Sequence, residues 1–185
     1  MKVLFKSYVV IVLGLLIHYG VAAQSPTETQ SVKAQARAQI DINARFRSLD
    51  STTPISLADY QGKVVVLALW ASWCGPCRIA VNGLVDLHKE FADRKVEVIA
   101  LSIEDPQKAD ADVRRFVVGF PSDYKVGWIS TISADRLMAS KGVVPQIFVI
   151  RDGVVLKNFL GWNPTMTMIE LRKVLDEAQK RKTAG

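Results

Sequence analysis

The sequence predicts an α/β domain with a mixed β-sheet and helices on both of its faces, and three observations carry that prediction. Two apolar runs rich in β-branched residues, Val64–Trp70 and 96–103, have the length of buried strands. Between them, Ala80, Leu84, Leu87 and Phe91 recur at helical spacing and form one core-facing stripe. Further on, the apolar runs 147–151 and 154–159 flank Asp152-Gly153, a dipeptide that favours a tight hairpin.

The remaining elements fit around these. Residues 46–57 read as a short N-terminal hairpin, with polar Asp50-Ser51-Thr52-Thr53-Pro54 between apolar positions. Gln61-Gly62-Lys63 is a turn before the first buried strand. Residues 109–118 read as a helix with Val113, Phe116 and Val117 inward, 124–129 as a short strand, and 133–140 as a short helix. Thr167 with Glu170 forms a capping box for a last helix reaching about Gln179, with Met168, Leu171, Leu175 and Ala178 on one face. The order is β-α-β-α followed by β-β-α.

The ends carry different information. Residues 1–23 read as a secretory signal: Lys2 and Lys6 are positive, 8–17 is apolar, and Val21-Ala22-Ala23 offers small residues for cleavage before Gln24. Ten apolar residues fall short of the roughly 20 that span a membrane. A retained anchor requires the run to extend over 8–23, across His18. Either form places the protein in the periplasm or an equivalent exported location. Residues 24–40 are a polar linker, and 41–180 suffice for one domain with its own core. The net charge of +6 falls to near +4 without the two signal lysines. What is left concentrates at Lys180-Arg181-Lys182, a solvated tail, and no basic run is interleaved with aromatics, so nucleic acid is not an expected partner.

The chemistry sits in Trp73-Cys74-Gly75-Pro76-Cys77, which holds both cysteines of the chain. Such a pair serves redox chemistry or a metal. Zinc wants about four ligands, and the chain adds only His88 and His18. Covalent haem attachment needs His directly after the second cysteine, where Arg78 stands. A structural bridge over three residues closes too small a loop to stabilise much. A reversible dithiol fits best. Cys74 at a helix N-terminus faces unpaired N–H groups and the positive end of the helix dipole, which favour its thiolate. Cys77 lies one helical turn on and can attack a mixed disulfide formed at Cys74. Gly75 allows a partner chain to approach closely, and Pro76 suits a first helical turn. No metal and no cofactor are expected.

Three blocks carry a resemblance to a known family: Ile55-Ser56-Leu57-Ala58-Asp59-Tyr60-Gln61-Gly62-Lys63-Val64-Val65-Val66, then Trp70 to Arg78, then Gly142-Val143-Val144-Pro145-Gln146-Ile147-Phe148-Val149-Ile150-Arg151-Asp152-Gly153. Together they resemble thioredoxin-fold proteins, and more narrowly the exported TlpA/ResA-like thiol-disulfide oxidoreductases, over about residues 41–178. The resemblance implies a thioredoxin-like fold with a central insertion before a cis-proline strand. Pro145 would be that cis-proline, facing the cysteines. Val144 would offer its carbonyl and N–H to an extended substrate strand. Trp73 would be a partly exposed apolar platform, so that Trp73, Gly75, Pro76, Val144 and Pro145 together form the substrate-binding surface around Cys74 and Cys77.

The chain departs from that pattern. Where thioredoxins place a buried Asp and its Lys partner, this sequence has Ala68 and Ala100. The Glu that ResA-like members carry three residues after the second cysteine is Ala80, and the helix proline two residues further on is Asn82. No obvious carboxylate is then left to take the proton from Cys77, and Glu104, at the end of the next strand, is the candidate that remains. The resemblance implies an exported dithiol reductase that acts on disulfide-bearing proteins, as in cytochrome c or metalloprotein maturation, is recharged by a membrane electron donor, and works as a monomer. Competing readings are a disulfide oxidase or isomerase, and a non-enzymatic binding or chaperone module. A peroxidase would want Thr where Ala71 stands.

Overall fold

In the computed structural model of the chain, residues 39–119, 123–138 and 142–180 are described. The expected signal at 1–23, most of the linker, residues 139–140 of the expected helix 133–140 and the basic residues 181–182 lie outside them. The described residues belong to one compact unit, Arg37–Gly185.

Seven strands form one sheet: β1 (Arg45–Ser48), β2 (Ile55–Ser56), β3 (Val64–Trp70), β4 (Val96–Ser102), β5 (Lys125–Trp128), β6 (Gln146–Arg151) and β7 (Val154–Leu160). Their spatial order is β2-β1-β5-β4-β3-β6-β7. β3, β4 and β5 run parallel, and β1–β2, β1–β5, β3–β6 and β6–β7 are antiparallel pairs. The helices are α1 (Gly75–Phe91), α2 (Pro106–Val118), α3 (Thr131–Met138) and α4 (Met166–Lys180), and a 3₁₀ turn spans Leu57–Tyr60.

β3 is the centre of the sheet. All seven of its residues are buried, because helices and loops cover both of its faces. Val64, Val66, Ala68 and Trp70 face one core with α1, α2 and α4. Val65, Leu67 and Leu69 face a second core with Phe46, Ile55, Leu57 and α3. Helices therefore cover both faces, three on one side and α3 with the N-terminal hairpin on the other.

The insertion before β6 holds α2, β5 and α3. α2 starts three residues earlier than its apolar spacing predicts, because the Asp105 carboxylate accepts from Gln107 N–H and Pro106 occupies the first turn. α3 likewise starts two residues early, where the Ser130 hydroxyl accepts from Ser133 N–H at 3.2 Å. The capping box expected at Thr167 is not the start of α4. Asn163 caps one turn sooner, its side-chain oxygen accepting from Met166 N–H at 2.8 Å, while Thr167 lies inside the helix and accepts from Asn163 N–H. Glu170 instead pairs with Lys157 of β7. The β6–β7 turn is as predicted, with Asp152 and Gly153 both at positive φ.

Candidate functional site

The register of β3 against β6 places Leu69 opposite Gln146. The segment leaving the top of β3 and the segment entering β6 are therefore neighbours, and the disulfide lies between them. Ala71 is buried, its carbonyl accepts from Cys74 N–H at 3.1 Å, and the chain turns there into α1. Cys74 is the N-cap of that helix, and Cys77 N–H donates to Cys74 Sγ at 3.2 Å. Gly75 and Pro76 fill the exposed first turn.

Cys74 and Cys77 are joined in a disulfide. Cys74 is the more exposed, but only at 5%, against 0% for Cys77. Trp73 stands beside Cys74, 68% exposed. The Val144–Pro145 peptide is cis, Pro145 is buried, and the Val144 carbonyl oxygen lies 3.6 Å from Cys74 Sγ. Val144 and Pro145 thus lie beside Cys74, which Trp73, Gly75, Pro76 and Cys77 adjoin along the chain.

Glu104 lies just after β4. Its carboxylate accepts from Ser72 N–H at 2.6 Å, from the Ser72 hydroxyl at 2.8 Å and from the Ser102 hydroxyl at 3.1 Å. It ties the loop after β4 to the loop after β3, alongside the Ile103 N–H to Trp70 carbonyl bond. Ala68 and Ala100 face each other across the β3–β4 pair, 3% and 1% exposed, so the missing Asp and Lys are replaced by one apolar contact in the core. Ala80 is buried too, and Asn82 is exposed. His88 sits edge-on to Tyr124, 6.0 Å between ring centres. Among the described residues no three His, Cys, Asp or Glu side chains group as a metal site.

Two participants escaped the sequence reading. Ser72 gave no signal beyond its place between two tryptophans. Gln146 did give one, a polar residue opening an otherwise apolar strand, and it is 0% exposed. Its side-chain nitrogen donates to the Val143 carbonyl at 3.0 Å, and its oxygen accepts from the Asn158 amide at 3.3 Å. Trp162, after β7, packs on α1 where Gly83 leaves room; a Cβ at Gly83 would come within 2.5 Å of the indole.

A cis-proline segment beside a disulfide at a strand-to-helix turn defines the thioredoxin-fold dithiol proteins. Comparison with known proteins agrees. The AhpC/TSA family model matches residues 36–158, and the chain belongs to that family. The thioredoxin-like protein YneN of Bacillus subtilis is 32% identical over 65% of this chain and 68% of its own length. The thiol-disulfide oxidoreductase ResA of Bacillus anthracis is 30% identical over 58% of this chain and 60% of its own. A Chlorobium tepidum structure, a candidate thiol:disulfide interchange protein DsbE, superposes with a TM-score of 0.64 at 28% identity, covering 78% of this chain and 99% of that one. The chain is a thiol-disulfide oxidoreductase of the thioredoxin fold.

Proposed function

We propose that the domain, residues 41–180, is an exported dithiol reductase of protein disulfides, with Cys74 as nucleophile and Cys77 as resolving thiol. The Cys74 thiolate attacks a substrate disulfide, forming a mixed disulfide and releasing one substrate thiolate. The Cys77 thiolate then attacks Cys74 Sγ, closing the Cys74–Cys77 disulfide and releasing the second substrate thiolate. Two electrons pass to the substrate, and an external dithiol, in this reading a membrane electron donor, returns them. The observation that carries the assignment is the hydrogen bond from Cys77 N–H to Cys74 Sγ at the start of α1, an arrangement that stabilises an anion at Cys74 and nowhere else in the pair. Trp73, Gly75, Pro76, Val144 and Pro145 form the surface that receives the substrate.

The Gly75-Pro76 pair between the cysteines supports the reducing direction, and the polar lead-in behind a signal-like segment supports export. Among the described residues no helix is long and apolar enough to cross a membrane. By family resemblance the substrates are apo-cytochrome c or metalloprotein assembly factors. The apolar Ala68–Ala100 contact favours a second reading, an oxidase or isomerase, because alanines stand where an acid and its partner could help Cys77 lose its proton. Equilibration in graded dithiol buffers with alkylation of free thiols decides between them, with Cys74→Ser as control. A potential near about −270 mV is expected for a reductase, and one near about −120 mV makes the protein an oxidant.

A further inference from the structure

We propose that Gln146 is a positioning residue for the incoming substrate chain: its carboxamide holds the Val143 carbonyl inward and thereby aims the Val144 N–H outward beside the disulfide. This rests on the reading of Cys74 as the residue that meets substrate.

Gln146 and Ser102 are the buried polar side chains among the described residues, and Gln146 is 0% exposed. A carboxamide removed from water is costly unless its groups are bonded. Both ends of this one are: nitrogen to the Val143 carbonyl, oxygen to the Asn158 amide across the β6–β7 hairpin. The Val143 side chain itself is 48% exposed. A carbonyl in such a loop ordinarily turns to water, and here it is turned in to satisfy a buried donor.

The consequence follows from peptide geometry. The Val143–Val144 bond is not among the cis peptides, so its C=O and N–H point in opposite directions. Fixing the Val143 carbonyl toward Gln146 sends the Val144 N–H away from the protein interior. The Pro145 carbonyl is also engaged, accepting from Gly161 N–H at 2.8 Å. Of the three carbonyls from 143 to 145, only that of Val144 lies against Cys74 Sγ. Within residues 143–145 the carbonyl beside the disulfide is thus that of Val144. Apolar surface next to the cysteine and to Val144 in the chain is offered by Trp73 and Val143, which are 68% and 48% exposed. The substrate class this surface fits is a protein disulfide in an extended segment with an apolar side chain next to its cysteine.

The test compares two disulfides on the full chain. Insulin offers a peptide backbone to Val144, whereas 5,5′-dithiobis(2-nitrobenzoic acid) has none. Gln146→Met keeps the length of the side chain and removes its donor. It is expected to lower kcat/KM for insulin about tenfold, the worth of roughly one hydrogen bond, mainly through KM. The small disulfide should lose no more than about twofold, since it makes no main-chain pair. Asn158→Ala, which removes the brace on Gln146 and leaves its donor, should shift the same ratio in the same direction by less, and carries the test should the Met variant fail to fold. Equal losses on both disulfides in these variants, or no loss on insulin, overturn the assignment of Gln146. A wild-type chain that reduces neither disulfide instead overturns the redox reading on which it rests.

Discussion

On one side of the disulfide the chain is held by a carboxylate, on the other by a carboxamide. Glu104 takes three donors from Ser72 and Ser102 at a half-buried position near the loops. Gln146 bridges the Val143 carbonyl and Asn158 with no exposure at all. The difference follows solvent access. A carboxylate keeps its charge at tolerable cost where water reaches it and several donors converge, whereas a fully buried position accepts only a neutral group with both ends bonded. Between the two lies the Ala68–Ala100 contact, which carries no polar group in its side chains. The floor of the site is apolar and its two walls are polar.

The sharpest way to break that arrangement is to put a charge in the floor. Ala68→Asp places a carboxyl group at a position 3% exposed, opposite another alanine. With no partner the variant should lose about 3–5 kcal/mol of stability, read from urea unfolding of the oxidised protein. The fraction that folds should resolve mixed disulfides faster in stopped-flow measurements, because an acid beneath Cys77 can take its proton. A midpoint that does not move would mean the floor is wetter than its exposure indicates, and unchanged resolution would mean that proton transfer to an acid at 68 does not limit that step.

The motif wall comes next. Glu104→Ala leaves the Ser72 N–H and two hydroxyls without their acceptor and should cost about 2–3 kcal/mol. The loss should be accompanied by a change in Trp73 fluorescence, since Trp73 directly follows the residue that is released. A smaller cost, near zero, would make the carboxylate a surface decoration and leave the turn at 71–74 held by its backbone alone.

How much of this could be read in advance divides along the same line. Hydrophobic period and Cys spacing gave β3, the stripe on α1 and the redox pair, because burial and helix geometry leave a direct imprint on residue order. Val144 and Pro145 came only through family resemblance; nothing local distinguishes a cis-proline strand. The starts of α2 and α3 were placed late because apolar spacing says nothing about polar caps at Asp105 and Ser130. For Glu104 the sequence offers proximity to the motif along a strand but not its partner, Ser72, a contact over 32 residues of chain that no local pattern encodes. Gln146 is the same case with a partner at 158, across the hairpin.

Ser72→Ala refines the wall prediction. It removes the hydroxyl bond to Glu104 and keeps the N–H bond, so it should cost about 1.5–2 kcal/mol, the low end of the range for a hydrogen bond to a charged group. Together with Glu104→Ala it closes a double-mutant cycle, and a coupling near zero would show that the two residues do not act as one clamp.

The smallest effect belongs to the far end of the same two strands. There Lys63 pairs with Glu97 at 2.6 Å, with side chains 40% and 30% exposed. An exposed pair of this kind contributes about 0–1 kcal/mol and is screened by salt. Lys63→Met should therefore shift the urea midpoint slightly at low salt and hardly at all at high salt. Glu104→Ala should keep most of its cost at both, because backbone and hydroxyl donors at 2.6–3.1 Å in a half-buried cleft are poorly screened. If the two variants showed the same salt dependence, the Glu104 carboxylate would be acting as a surface charge like Glu97, and the redox end of the sheet would have no stiffer wall than the opposite end.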